Sequence, residues 1–526
     1  MISETNSYAE CVLDLSGTAP DRIAFKSASV CYTYSDLAAE ALRHAAILRD
    51  LGVKRGDRVA VLTTPRAESA MLFIAMNMVG AIWICLNPQY RLREFQYTIE
   101  DAQPSILFYI AEFEGRDYHP DLRQLLTENP CLKHAVCLEG EGDLGLKLSD
   151  LAAEPRAPFK METGRDRRFD PAAIVYTSGS TGNPKGAVLP NHGLMERGRA
   201  YNRNWPAPDY PRVFDFYPLN HVGGLGWVLG YGLVGGGTTY FAPRFDIETY
   251  GDTIREERIT ALQGPPMLYQ MLLSRAEFDP TDYASVEWLL YSGAAMSEDL
   301  LQKIADLGMR FSPTYGLTEA CGGLTFSHAD GQDSVALLAR TMGLSLNEGE
   351  VRVVTESGTL AGPGELGEIQ IERSRCMLEY FNRPEATAAA FTEDGFFRTG
   401  DVAEVVERGY LQFRTRKSEM FKSGGYNIYP REIEAVLEQH PKVGLAAVIA
   451  LPHALYSEVG LAYVLPESET ATPPSPEELR AWCRERMANY KVPKRFLVER
   501  SLPTLGSGKV DKVTLRTKAL AEQQPV

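Results

Sequence analysis

Two hydrophobic periods alternate through the first 150 residues. Apolar residues recur at helical spacing over 37–51, and after the Gly56-Asp57 turn a short apolar run predicts a strand over 58–62. The unit then repeats, with a helix over 68–78, a strand over 81–86, a more polar helix over 93–101 and a strand over 105–109. Strands that alternate with helices predict a mostly parallel sheet covered on both faces. Residues 70–86 form the most apolar stretch, but Asn77 and Gly80 interrupt it. It therefore reads as a buried helix running into a buried strand rather than as a membrane span.

A short β-prone run at 173–176 leads into a polar, glycine-rich segment, TSGSTGNPKG over 177–186. Strand signals continue at 288–291 and 310–313, and strands at 351–354, 367–372, 402–406 and 410–413 then predict a smaller β-rich unit. After Lys417 the pattern becomes strand, helix (430–438), strand (443–451), strand (458–465), helix (475–487) and a basic tail. That order predicts an independent α+β domain of about 110 residues. No internal repeat or low-complexity tract is visible.

The chain has 526 residues, enough for two to four domains with ordinary cores. Hydrophobic residues at 44% and charged residues at 23% match globular usage and set aside disordered and collagen-like classes. A net charge of −15, from 54 Lys plus Arg against 69 Asp plus Glu, argues against nucleic acid as a partner. Eight cysteines are scattered with no C-x-x-C pair, so neither a zinc site nor a redox motif is predicted, and a reducing cytoplasm fits best. The first residues lack a signal-peptide pattern, and the terminal QQPV is neither a prenylation nor a peroxisomal signal.

A loop rich in Gly, Ser and Thr with one Lys suits a polyphosphate, because glycines let backbone N–H groups converge and hydroxyls add donors. The Walker pattern is absent, since Lys185 lies between Pro184 and Gly186, and the P-loop kinase or ATPase reading loses its support. The full string YTSGSTGNPKG over 176–186 resembles the signature loop of the AMP-forming adenylating superfamily of acyl-CoA synthetases, adenylation domains and luciferases. Other motifs of that family follow in order. They are YPLNHVGG (217–224), SGAA (292–295), TYGLTE (314–319), RTGD (398–401), the segment 416–430 ending in KSGGYNIYP, and LGSGK (505–509). The resemblance spans nearly the whole chain.

It implies an α/β fold with a large N-terminal adenylation domain, 1–417, built of doubly wound sheets plus a small β-barrel. A smaller, mobile C-terminal α+β domain, 418–526, follows. It implies that Thr177, Ser178, Gly179, Ser180, Thr181, Gly182 and Lys185 surround the β- and γ-phosphates of ATP, that Thr318 meets the α-phosphate, and that Glu319 binds Mg²⁺. Gly293, Ala294, Ala295, Tyr315 and Gly316 would border adenine, and Asp401 and Arg416 the ribose hydroxyls. Lys509 would bridge the attacking carboxylate and the α-phosphate. His221 would act as a gate, with Val222, Gly223, Gly224, Met296, Thr314 and Cys321 around the acyl group. In the second step the small domain would rotate about Ser418, withdraw Lys509, and bring a pantetheine tunnel of Lys422, Ser423, Gly424, Gly425 and Tyr426 to the site.

The implied activity is an ATP-dependent carboxylic acid:CoA ligase, with ATP and CoA as co-substrates. Alternatives are a stand-alone enzyme that loads an acyl-carrier protein and, from another class, an inactive nucleotide-binding scaffold; a homodimer stays open. Departures from the family pattern are Thr415 and Ser418 at the domain boundary, Glu379 before Tyr380, and Thr314 where a glycine often leaves room for the acyl group. A side chain at Thr314 favours a compact aromatic, alicyclic or medium-chain acid over a long fatty acid.

Overall fold

Apolar runs bounded by turn residues become strands, and the number of their faces that are covered decides the sheet type. The computed structural model describes residues 4–522 except 141, 163, 178–183, 208, 294, 329–330, 346, 348, 418, 424–425, 454–455, 469–471 and 506–508. It comprises two units, Met1–Val351 with Ile371–Phe397, and Arg352–Gln370 with Arg398–Val526.

The first unit holds two large sheets. One has eight strands, in the order Glu379–Tyr380, Lys185–Pro190, Pro171–Thr177, Ile82–Leu86, Arg58–Leu62, Ile106–Ile110, His134–Glu139 and Leu146–Lys147. Its interior is parallel, and the strands Lys185–Pro190 and Glu379–Tyr380 add an antiparallel edge. Ile82–Leu86 and Ile106–Ile110 are buried at every residue, as a parallel sheet covered on both faces requires. The apolar stretch read as helix then strand is the helix Ala67–Val79 followed by Ile82–Leu86, separated by Gly80 at φ +84°. Among the described residues no helix is long and apolar enough to cross a membrane.

The second sheet has seven strands, in the order Arg310–Thr314, Trp288–Ser292, Ala261–Gly264, Arg212–Asp215, Thr238–Phe241, Ile23–Lys26 and Cys31–Thr33. All neighbours pair in parallel except the last pair. Over it lie the helix Asn191–Asn204 and a segment that periodicity did not predict: one α-turn, Val222–Leu225, continuing as a π-helix over Gly226–Val234 that is buried throughout. Gly198 and Gly230 let these two helices meet backbone to backbone, with no space for a Cβ at Gly198.

The second unit contains a four-stranded sheet where the small barrel was expected, in the order Val351–Val354, Leu366–Glu372, Phe396–Val405, Leu411–Arg416. Beyond it Phe421–Ser423, Tyr426–Ile428, Val443–His453, Ser457–Pro466 and Arg495–Val498 form a second sheet with the helices Pro430–Glu438, Pro476–Arg486 and Lys512–Glu522. The predicted helix over 475–487 is the one that Ser475 caps by a reciprocal bond with Glu478.

Candidate active site

The glycine-rich segment joins two antiparallel strands, Pro171–Thr177 and Lys185–Pro190, whose last pair is Thr177 with Lys185. Thr177 Oγ1 donates to the Lys185 carbonyl at 3.4 Å. The loop residues Ser178, Gly179, Ser180, Thr181 and Gly182 lie outside the described residues. Both ends of the loop are held by the helix Leu92–Ala102. Tyr176 Oη donates to Asp101 Oδ2 at 2.8 Å, Tyr97 Oη donates to the Pro184 carbonyl at 2.6 Å, and Arg383 pairs with Asp101 at 2.7 Å.

After the strand Arg310–Thr314 the chain makes a tight hairpin in which Gly316–Leu317 pairs with Gly322–Gly323 around a 3₁₀ turn, Thr318–Ala320. The Glu319 carbonyl accepts from Met377 N–H at 2.6 Å, and its Oε1 accepts from Tyr380 Oη at 2.8 Å. Tyr380 lies in the edge strand that pairs with Lys185–Pro190, and its ring centroid is 5.1 Å from Lys185 Nζ. Lys185, Tyr380 and Glu319 are therefore brought together from three distant parts of the chain. Burial, with the Glu319 carboxylate beside it, pushes the Tyr380 phenol far above its ordinary pKa and keeps it a donor. Sequence reasoning assigned Tyr380 no role; its signal was a lone tyrosine in an exposed-looking EYFNRP segment.

Around Gly323 the fit is close. A Cβ there would lie 2.5 Å from Tyr201 Oη and 2.6 Å from Thr314 Oγ1, so both hydroxyls face Gly323. Likewise a Cβ at Gly223 would lie 2.9 Å from His221 Nδ1 and 3.6 Å from Gln263 Nε2. His221 is exposed, and its Nδ1 accepts the Gly223 N–H at 2.9 Å, capping the α-turn; Nε2 then carries the ring proton. Val222 is buried near Gly322, and Gly224 packs on the Tyr217 and Pro218 carbonyls.

Cys321 departs from its expected place. It is wholly buried at φ +60°, and its Sγ would be 2.5 Å from a Cβ at Gly193, so it packs into the main core rather than toward Gly223. Burial raises its thiol pKa to about 12. Met296 is buried, whereas Gly293, at φ +85°, and Ala295 are exposed; Ala294 lies outside the described residues. Tyr315 N–H donates to Thr325 Oγ1 at 2.8 Å.

Behind Thr314 and Gly323 stands an aromatic cluster that sequence reasoning missed. Tyr201 is 5.6 Å from Trp205, 6.1 Å from Trp227, 6.3 Å from Tyr231 and 5.4 Å from Phe326 between ring centroids. The signal was present as Tyr201/Trp205 and Trp227/Tyr231, two aromatic pairs spaced four residues apart.

In the second unit Gly400, at φ +71°, turns the chain so that Asp401 pairs with Arg416 across two antiparallel strands. Their ion pair measures 3.0 Å, with Asp401 buried and Arg416 half exposed. Buried Glu368 accepts from Gly400 N–H at 3.2 Å and pairs with Lys417 at 2.9 Å. The Lys509 carbonyl accepts from Leu505 N–H at 2.8 Å. Its side chain keeps solvent contact, yet crowding by protein, then the Arg416 guanidinium, draw its ammonium pKa below the usual value, while Asp401 and Glu419 pull it up. Asp401, Arg416 and Lys509 thus share one neighbourhood. Ser423 is buried and pairs with Tyr426 in a hairpin, where Lys422 pairs with Asn427; Gly424, Gly425 and Ser418 lie outside the described residues.

The model of the AMP-binding enzyme family matches residues 15–381, and that of the AMP-binding enzyme C-terminal domain matches 432–509. The chain is 32% identical to a feruloyl-CoA synthase of Amycolatopsis sp, over 95% of this chain and 96% of that protein. It is 30% identical to the long-chain-fatty-acid–CoA ligase FadD13 of Mycobacterium tuberculosis, over 93% of each. Its fold matches ATP-bound MatB from Rhodopseudomonas palustris with a TM-score of 0.86 at 28% identity, covering 97% of this chain and 98% of that one.

Proposed function

The chain belongs to the AMP-binding enzyme family, and on that premise we propose that it converts a compact, preferably aromatic, carboxylic acid into its CoA thioester through an acyl-adenylate. It is an acyl-CoA ligase of the AMP-forming type. In the first step a carboxylate oxygen attacks the α-phosphorus of ATP and pyrophosphate leaves. In the second, the CoA thiolate attacks the acyl carbon and AMP leaves. Both steps gather negative charge at one place, so catalysis comes from positioning and charge neutralisation.

The observation that carries this reading is the grouping of Lys185, Tyr380 and Glu319 at the mouth of the phosphate loop. Lys185 supplies a cation for the β- and γ-phosphates, held over the Tyr380 ring. Glu319 has one oxygen engaged by Tyr380, which leaves the other for a cation. Mg²⁺ bound with nucleotide phosphates needs only one or two carboxylates, and among the described residues no cluster of three or more His, Cys, Asp or Glu side chains offers a protein cage instead. Glu319 is thus a fitting holder for Mg²⁺, which when bound neutralises charge on the phosphates. Asp401, with two oxygens matched to a vicinal diol, is assigned to ribose beside Arg416, and Lys509 to the carboxylate and α-phosphate. We place the hinge of the C-terminal part at 417/418, inside the second compact unit, and the enzyme in the cytoplasm.

Compactness of the acid is supported by the aromatic cluster behind Thr314 and by the direct contact of Gly198 with Gly230, which leaves no path between those two helices for an alkyl chain. The two relatives differ in their named acids at nearly equal identity, so the pocket walls weigh more than the names. The test is mass-spectrometric detection of acyl-AMP, AMP and acyl-CoA after incubation with ATP, Mg²⁺, CoA and aromatic, alicyclic and C2 to C16 acids. Acyl-CoA from aromatic and short acids is the expected result. Long-chain acids alone would overturn the compact pocket, and acyl-AMP without thioester would favour a carrier protein as acceptor.

A further inference from the structure

The face of the seven-stranded sheet that looks toward the π-helix is unusually polar at the carboxyl ends of its strands, where open parallel sheets bind ligands. Val213 pairs with Ala261, and two residues on in both parallel strands Asp215 and Gln263 are neighbours on that face. Thr314 lies on the edge strand of the same sheet. Asp215 is fully buried, and Thr314 is 9% exposed.

Each of these side chains has a polar atom with no hydrogen-bond partner: Asp215 Oδ2, Gln263 Oε1 and Thr314 Oγ1. So does Trp227, 1% exposed, whose Nε1–H is likewise unpartnered and whose ring packs on Tyr201. Buried polar atoms are rarely left unpaired, and unpartnered groups next to Gly223 and Gly323 are out of keeping with a dry apolar pocket. Gln263 approaches Gly223, and Thr314 approaches Gly323, so the two groups flank the region where the acyl group is placed.

Resting on the ligase reading above, we infer that the acid carries a hydroxyl group at the end remote from its carboxylate, recognised by Gln263 and Thr314. A hydroxyl both donates and accepts, which matches the Gln263 carbonyl oxygen as acceptor and the Thr314 hydroxyl as donor. A second carboxylate fits less well, because the guanidinium behind Gly323, Arg197, is already ion-paired with Glu350 and both are fully buried. An ammonium fits less well too, because burial raises the Asp215 carboxyl pKa and disfavours the anion an ammonium would need.

The test is ATP–pyrophosphate exchange, which needs no CoA, with pairs of acids that differ only in hydroxyl against methyl: 4-hydroxy- and 4-methylbenzoate, 4-hydroxy- and 4-methylcinnamate, and ω-hydroxy and ω-methyl C4 to C8 acids. The expected result is a preference of at least about 100-fold in kcat/KM for one hydroxylated member over its methyl partner. Gln263→Leu, of similar volume, should shrink that ratio to within about fivefold by losing the hydroxylated acid alone. Thr314→Val reads the same ratio should Gln263→Leu fold poorly, as checked by its melting temperature. Equal rates for both members of every pair, or a ratio unchanged in both variants, overturn the inference while leaving the ligase intact. No exchange with any acid, long-chain acids included, overturns the ligase reading itself.

Discussion

Replacing Tyr380 by Phe removes one oxygen from the hydrogen bond that orients Glu319 and leaves everything else at that position. The ring is 8% exposed, so its packing persists, and Lys185 keeps its place over the ring face. Tyr380 Oη reaches Glu319 Oε1 at 2.8 Å, a bond to a carboxylate, and such bonds contribute about 1.5–3 kcal/mol. At about 1.4 kcal/mol per tenfold, the variant should lose roughly 10- to 100-fold in kcat/KM for Mg·ATP. Pyrophosphate release measured against Mg²⁺ at fixed ATP reads this directly. The loss should be largest at low Mg²⁺ and partly recovered at high Mg²⁺, because a freed Glu319 side chain must be ordered again by the cation. The melting temperature should change little. An activity within twofold of wild type across the Mg²⁺ titration, alongside a Glu319→Gln variant that is strongly impaired, would refute the claim that Tyr380 positions Glu319.

Three further outcomes follow from the same structure. Trp227→Ala should destabilise the protein by about 3–5 kcal/mol and widen the acid profile toward longer chains, as read by urea denaturation and by exchange across C2 to C16 acids. Asp215 has a carboxyl pKa raised by burial, so the folded state holds a proton that the unfolded state releases above its ordinary carboxylate pKa; stability must fall as pH rises from there toward the folded value. Asp215→Asn should therefore gain on wild type by up to about 1.4 kcal/mol per pH unit as pH rises above the ordinary carboxylate range, and a flat difference in urea melts would count against a buried neutral acid. Lys509→Ala should lower adenylation by at least about 100-fold yet leave thioester formation from supplied acyl-AMP within severalfold of wild type. Because its ammonium pKa is drawn down, the wild-type adenylation rate should decline at the alkaline end as that cation loses its proton, a limb that Lys509→Arg should remove.

Much of the fold was legible in the chain because strands buried on both faces are continuous apolar runs and helices over them keep a 3.6-residue period. Ile82–Leu86, Ile106–Ile110 and Pro430–Glu438 appear within a residue of where periodicity put them. The π-helix over Gly226–Val234 was not legible, since its residues are apolar on every side and carry no period. Four-stranded order in the second unit came likewise from pairing, which no local pattern encodes.

By itself the sequence determined the motifs that are local: the glycine-rich loop between Thr177 and Lys185, the Thr318-Glu319 turn, and Asp401 and Arg416 on two paired strands. These are short segments whose residue types and order carry the resemblance to the adenylating family, from which their roles are proposed. Only the tertiary structure decided the surroundings. Tyr380 reaches Glu319 from 61 positions away, Thr314 and Tyr201 meet at Gly323 with Trp227 packed on Tyr201, and Gln263 approaches Gly223. Cys321, two residues after Glu319, is wholly buried at φ +60° and packs against Gly193. Side-chain direction depends on backbone geometry and on which elements pack together, and neither is written in the order of residues.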